Sequence, residues 1–407
     1  GGWCWFQDER AIIHKGNLVV GAVSGRGGDI KVGVYDMIQG NSSGEKILHE
    51  GFEQDDHDAP ALYSRPDGSV LAMYARHGKK GDPKHYYRIS APDNPLEWGM
   101  EKIYDHGGPT GITYMNIYHL PKDGILYNFY RDGPTFHPFF IFSEDHGETW
   151  NKGGQFIFNE IKTRNRPYVR YVSNGLDRIF FSFTEAHPSS FQKKLNKGCS
   201  IYFASFGNGK FYNAKGDVIK DLKEQGPLTP REAELIFQGD LDNIAWTSSI
   251  RLDEKGYAHI GYSVHKTNED HRYRYAFWDG VKWQDREVAY AGRCLYPEQD
   301  FYTGLITLDP VDPRILYISS NVHPETGNKT GTEKYEIYRA RIPNDEFQKP
   351  LKWIPVTKNS LKDNIRPVCV AGDTCRVLLW MQGNYITFRN YETDIVGIIF
   401  PKQKNSP

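Results

Sequence analysis

The chain is poor in what staples or embeds a protein: 5 Cys and 5 Met in 407 residues, no CxxC pair, and no apolar run near the eighteen residues or so of a membrane span. It also lacks an excess of charge of either sign, since 50 Lys and Arg against 51 Asp and Glu leave a formal charge of -1. That balance lacks the basic footprint of a nucleic-acid binder. No stretch reads as helix except Gly216 to Gln225, so a parallel βαβ architecture is excluded for want of crossover helices. What is abundant is 26 Tyr, 22 Phe and 9 Trp, with 40 Gly and 23 Pro, the composition of many strands and tight turns. The chain opens Gly1-Gly2-Trp3 with neither Met nor a basic-then-apolar leader, which reads as a trimmed, exported chain.

Length alone allows two or three domains at roughly 100 to 200 residues each, unless the chain is a repeat. It is a repeat. A strand, a turn with Gly, Asp or Asn, and a more apolar strand recur as DERAIIHKGNLVVGAVSG from Asp8, HDAPALYSRPDGSVLAMYARHG from His57, TYMNIYHLPKDGILYNFYRDG from Thr113 and RPYVRYVSNGLDRIFFSFTEAH from Arg166. WTSSIRLDEKGYAHIGYSVHK from Trp246, YTGLITLDPVDPRILYISSNVH from Tyr302 and RPVCVAGDTCRVLLWMQGNY from Arg366 complete seven copies. Further strand-like runs follow each hairpin, giving four strands per repeat at propeller spacing. The fold class predicted is all-β: a seven-bladed β-propeller in one domain, 1–407, around a central channel. Its blades fall at about 1–54, 55–108, 109–161, 162–240, 241–297, 298–362 and 363–407. No exchanged strand that would close the ring is visible.

In an antiparallel blade, the starts of first strands and the ends of second strands share one face. That places His57, Tyr114, Arg166, Arg170, Trp246 and Tyr302 with His77, Arg131, Glu185, His187, His265 and His323 on one rim. Aromatic residues here ordinarily pack between blades, and a single His at a strand end is ordinarily solvated. Coincidence argues for more: His57 and His77 bracket one hairpin beside the blade that supplies Tyr114 and Arg131, and Arg166, Tyr168 and Arg170 alternate along one strand. A rim rich in imidazole and guanidinium suits a polyanion although the total charge is near zero. Elsewhere, Cys369 and Cys375 flank a Gly-Asp turn where two antiparallel strands could place them in disulfide range, their disulfide state being left open, whereas Cys4 reads as a buried free thiol.

GGWCWFQDERAI at the start, HDAP at His57 to Pro60, TY at Thr113 to Tyr114 and RPYVRY at Arg166 to Tyr171 resemble the bacterial-neuraminidase-repeat-like propellers of polysaccharide lyases, the seven-bladed ulvan lyases above all. SEDHGETW, Ser143 to Trp150, also matches the Asp-box pattern S-x-D-x-G-x-x-W, a structural turn. The resemblance implies β-elimination on a uronate-containing sulfated polysaccharide, with His57 and His77 as the family's histidine pair and Tyr114 as the phenol. Chemistry asks for a cation on the uronate carboxylate, for which Arg170, with Arg166 in reserve, is the expectation. Imidazole and phenol then share the base and acid roles, unassigned between them. Arg131, Arg166, Tyr168, Trp246, Tyr302 and His323 are the expected substrate contacts, and Arg251 and Lys266 are further cations for sulfate.

No cofactor is expected for catalysis. His187, Cys199, His265 and Cys294 fall on one face of neighbouring blades, with His271 as substitute, and form a reasonable closed zinc site. The resemblance adds that these lyases can carry zinc away from the chemistry; the alternative is a Cys199–Cys294 disulfide. The other readings are a rhamnose-glucuronate lyase or glycosidase of the same propeller family, a sialidase-like hydrolase, and a non-catalytic glycan-binding propeller. A monomer, secreted or periplasmic, with no nucleic-acid or membrane partner, is expected.

Overall fold

The alternation of apolar and polar residues along the repeats is realised as seven antiparallel sheets in the computed structural model, which describes residues 1–77, 82–108, 111–133, 135–160, 166–187, 198–344 and 346–401. Blade one is built from Ala11–His14, Asn17–Val23, Ile30–Asp36 and Asn41–His49. The inner strands of blades two to seven are Ala61–Ser64, Ile112–Leu120, Val169–Ser173, Ile244–Leu252, Ile306–Leu308 and Asp363–Ala371. Each inner strand packs on the next, and the last packs on the first, so the ring is closed. Blades two and four carry extra strands, whereas blade seven has three among the described residues: Asp363–Ala371, Cys375–Thr387 and Asn390–Pro401. The stretch Gly216 to Gln225 gives a strand, Val218–Asp221, and one helical turn, Leu222–Gln225, capped by the Asp221 carboxylate. Among the described residues no helix is long and apolar enough to cross a membrane.

Ring closure has a source that the repeat pattern did not reveal. The Gly1 nitrogen donates to the Thr393 carbonyl at 2.6 Å, and Gly2 pairs with Val23, so the first residues tie blade seven to blade one. The chain then enters the axis. Trp3, Cys4, Trp5, Phe6 and Gln7 are buried there, and the expected channel is filled over this length. Phe6 is its hub, with ring centroids 4.0 Å from Trp246, 4.3 Å from Tyr168, 5.5 Å from Tyr114 and 5.6 Å from Tyr302. Burying each of these large aromatics contributes roughly 2–4 kcal/mol. A turn-containing segment on the axis has no sheet to satisfy its carbonyls, and side chains do so instead. Arg366 donates to the carbonyls of Cys4 (3.1 Å) and Gln7 (2.5 Å), and Arg170 to that of Trp5 (2.5 Å).

The Asp box forms the turn that its sequence encodes. Ser143 Oγ donates to Asp145 Oδ1 at 2.7 Å, Gly147 N–H donates to Ser143 Oγ, Thr149 N–H donates to Asp145, and Trp150 is buried. The Cys369–Cys375 disulfide, by contrast, does not form, because Cys369 lies across from Leu378 rather than Cys375. All five cysteines are free, which also removes a Cys199–Cys294 bridge.

Candidate active site

The site grows from the acidic run Asp55-Asp56-His57-Asp58 that leads into blade two. Asp55 caps a single 3-10 turn, Asp56–Asp58, by accepting from the His57 N–H. His57 is held there with its Nδ1 2.7 Å from Asp55 Oδ1, while Gln7 from the axial segment donates to its carbonyl. His77, just past the second strand Val70–Tyr74, places its Nδ1 3.0 Å from the other Asp55 oxygen, and its N–H donates to Asp58. The hairpin geometry therefore stacks the two imidazoles, with centroids 3.8 Å apart and planes within 6°. One carboxylate orients both rings. Phe388 covers the pair edge-on, and the Arg389 Nε also donates to Asp55.

Two stacked imidazoles do not both carry a charge cheaply, and the environment divides the proton between them. Burial opposes a charge on His57, but Cys4, Tyr114 and Asp55 raise its pKa well above the ordinary value. Cys4 and Tyr114 are themselves pushed up by burial and stay neutral near neutral pH, so Asp55 is the partner that holds this proton. Asp55 in turn lies well below the usual carboxylate range: burial raises it, and the two histidines outweigh burial. Burial and the His57 charge push His77 down to about 3, leaving a neutral ring.

Blade three supplies the rest. Tyr114 sits on a bulge of the inner strand at φ 64°, a left-handed conformation that costs about 1–3 kcal/mol in a non-glycine residue and often marks a working position. Its amide neighbours are held by Asn116, which donates to the Tyr114 carbonyl. Arg131 is the junction: Nη2 lies 3.2 Å from His77 Nε2, and Nη1 donates to the hydroxyls of Tyr114 (3.3 Å) and Tyr168 (3.0 Å). Burial keeps Tyr114 protonated, with Arg131 opposing it. Phe136 lies between Arg131 and Arg166, whose guanidinium carbons are 5.3 and 4.0 Å from its ring centroid.

His57, His77, Tyr114, Arg131 and Tyr168 thus come together, with Arg166 at their edge. Arg170 does not join them, and its expected role is corrected. Two residues along an extended strand is about 6.6 Å of depth, and Arg170 lies that step below Tyr168, beneath the axial segment. There it is 2% exposed, pinned by the Trp5 carbonyl and paired with Asp8 at 3.6 Å. Trp246 and Tyr302, 2% exposed, pack on Phe6 rather than offering a face to sugar. His323 is an exposed turn residue whose Nδ1 accepts from Glu325 N–H. Arg251 is likewise spent, on Glu9 and the Cys369 carbonyl.

The expected zinc ligands do not assemble either. Among the described residues no three of His187, Cys199, His265, His271 and Cys294 bring ligand atoms within 4.8 Å of one another. His187 lies against Tyr168 and Phe301, Cys199 Sγ faces the Ala186 carbonyl, and both His271 nitrogens face backbone carbonyls. The groups that do meet this criterion are Asp55, His57 and His77, and Cys4, Asp56 and His57. Asp55, Asp56, Gln7, Phe136 and Phe388 are functional neighbours that repeat position did not single out. For the two acids the signal was present in the acidic run around His57.

Comparison with known proteins agrees with this architecture. No curated protein matches the sequence. An ulvan lyase of polysaccharide lyase family PL25, solved with -[GlcA(1-4)Rha3S]- bound, superposes with a TM-score of 0.69 at 14% identity, over 97% of this chain and 93% of that one. The polysaccharide lyase Uly1 superposes with a TM-score of 0.63 at 12% identity, over 97% and 90%. At such identities the likeness is one of fold. The model of the BNR repeat-containing family matches residues 21–291, two-thirds of the sequence, and with seven blades and an Asp box in place the chain belongs to that family.

Proposed function

We propose that the protein is a polysaccharide lyase that cleaves a uronate-containing, sulfated polysaccharide of the ulvan type by β-elimination. The observation that carries this reading is Arg131 within hydrogen-bond reach of both a neutral imidazole and a protonated phenol. Elimination needs these three functions at one sugar. In the free protein Arg131 donates to His77 Nε2 and to the hydroxyls of Tyr114 and Tyr168. A uronate carboxylate is a stronger acceptor than any of these, so it draws the guanidinium into a paired contact and frees the His77 lone pair. His77 then takes the C5 proton, negative charge builds on the carboxylate beside Arg131 and the His57 cation, and the C4–O4 bond breaks as a C4=C5 double bond forms. Tyr114 delivers its proton to O4. Asp55 keeps Nδ1–H on His77, so that Nε2 is the basic atom.

The nearby acids support elimination over hydrolysis. Asp55 and Asp58, which a glycosidase would aim at the glycosidic oxygen, instead accept from His57 and His77. Arg166, stacked on Phe136, is placed as the contact for a neighbouring sulfate or uronate. The fold likeness to a lyase solved with a glucuronate–rhamnose-3-sulfate oligosaccharide supports this substrate class. Action on such a polymer fits a secreted or periplasmic monomer. The test is incubation with ulvan and other uronate polymers. The appearance of ultraviolet absorbance from an unsaturated uronate is expected; new reducing ends without it would indicate a hydrolase, and neither would indicate a binding propeller.

A further inference from the structure

The underside of the histidine pair is closed by a thiol and a carboxylate that the elimination does not use. Cys4 is 0% exposed, carried onto the axis by the N-terminal segment and fixed by Arg366 at its carbonyl. Asp56 is also 0% exposed, and its two oxygens differ. Oδ2 accepts from the Tyr385 hydroxyl at 2.6 Å, whereas Oδ1 has no well-aligned donor and is held only as an ion pair, 2.9 Å from His57 Nδ1. The His57 proton is directed at Asp55 instead. A buried carboxylate oxygen whose one cationic neighbour points its proton elsewhere favours a closer cation. One ligand atom each from Cys4, Asp56 and His57 lies within 4.8 Å of the other two. Zinc holds sulfur, nitrogen and oxygen at about 2.0–2.3 Å, which sets its ligands roughly 3.3–3.7 Å apart. Small side-chain rotations close the difference.

We propose that Cys4, Asp56 and His57 form a binding site for one thiophilic divalent cation such as Zn²⁺, with the fourth position left to water. Thiolate, carboxylate and neutral imidazole around a divalent ion sum to zero charge, the arrangement that burial demands. The ion replaces the proton on His57 and takes over its pairing with Asp56 Oδ1. It also removes the His57 cation that the elimination uses, so that occupancy switches the site off; this consequence rests on the proposed elimination, whereas metal binding does not.

The probes are Co²⁺ and Zn²⁺ alone, added to the full chain freed of metal by chelator. One equivalent of Co²⁺ is expected to give a thiolate-to-cobalt band in the near ultraviolet. Cys4→Ser loses that band, and the Cys199→Ser, Cys294→Ser double variant keeps it. Zinc-edge X-ray absorption on the unmodified protein, which needs no variant to fold, is expected to show one sulfur ligand. Two sulfurs would point back to Cys199 with Cys294 and overturn the proposal, as would the absence of a band or its survival in Cys4→Ser. Added Zn²⁺ is expected to abolish uronate elimination, chelator to restore it, and Cys4→Ser to resist it. Full turnover with the metal bound overturns the switch. A protein that binds Co²⁺ through Cys4 but eliminates no uronate polymer refutes the lyase reading and leaves the metal site standing.

Discussion

Two buried arginines on adjacent blades, Arg131 and Arg170, stand in different surroundings, and their acceptors set what each is free to bind. Arg131 donates to two tyrosine hydroxyls and faces a neutral imidazole, so its charge is unopposed by any carboxylate among these contacts. Arg170 faces the Asp8 carboxylate and the Trp5 carbonyl, and burial with incomplete compensation lowers its pKa. A carboxylate ligand gains a charge-assisted pair at the first and would have to displace one at the second. Guanidinium in the right motif is therefore not enough to name the carboxylate clamp.

The sharpest way to break this comparison is to truncate both. Arg131→Ala is expected to lower kcat/KM by at least about 10²–10³-fold, the scale of removing a preorganised donor, with little change in melting temperature. Arg170→Ala is expected to destabilise by about 3–5 kcal/mol, because it strands buried Asp8, seen in urea or thermal unfolding. If Arg170→Ala unfolds normally but is inactive, the assignment is reversed. Next in size, Tyr114→Phe removes only the phenolic proton and is expected to cost about 10²–10⁴-fold in kcat, with the fold intact by circular dichroism.

A smaller effect concerns pH. Because His77 is held near about 3, the acid limb of kcat/KM is expected well below the ordinary imidazole value of 6.5. His57→Gln removes the neighbouring cation that helps to hold His77 down, so the limb moves to higher pH as well as activity falling. The His57 proton has the opposite sign in stability. Its raised pKa contributes stability fully present below about 6.5 and lost as pH rises through the folded value. An acid limb that His57→Gln leaves in place would remove the coupling. Smallest of all, reductant is expected to leave the melting temperature unchanged, since every cysteine is free.

Much of this was legible in the sequence because it follows from period and position. Hairpin repetition gave seven blades, and strand direction put His57, His77, Tyr114 and Arg131 on one rim. The Asp box announced its own turn. What was not legible depends on depth and on the axis. Alternation put Arg166, Tyr168 and Arg170 on one side but could not say that the axial segment passes between Tyr168 and Arg170. Nor could a repeat pattern show that Trp3, Trp5 and Phe6, which precede the first repeat, fill the channel and engage Trp246 and Tyr302. The expected zinc ligands were not brought to one point among the described residues for the same reason: residues at equivalent blade positions share a face without sharing a point, and Cys199 faces the Ala186 carbonyl.

The central claim, that Arg131 grips the uronate carboxylate, is tested most directly by calorimetric binding in the Tyr114→Phe background. A uronate oligosaccharide is compared with its carboxyl-reduced counterpart, with Arg131 intact and replaced by Ala. A preference for the carboxylate is expected with Arg131 present, and its loss in Arg131→Ala. An undiminished preference without Arg131 would contradict it.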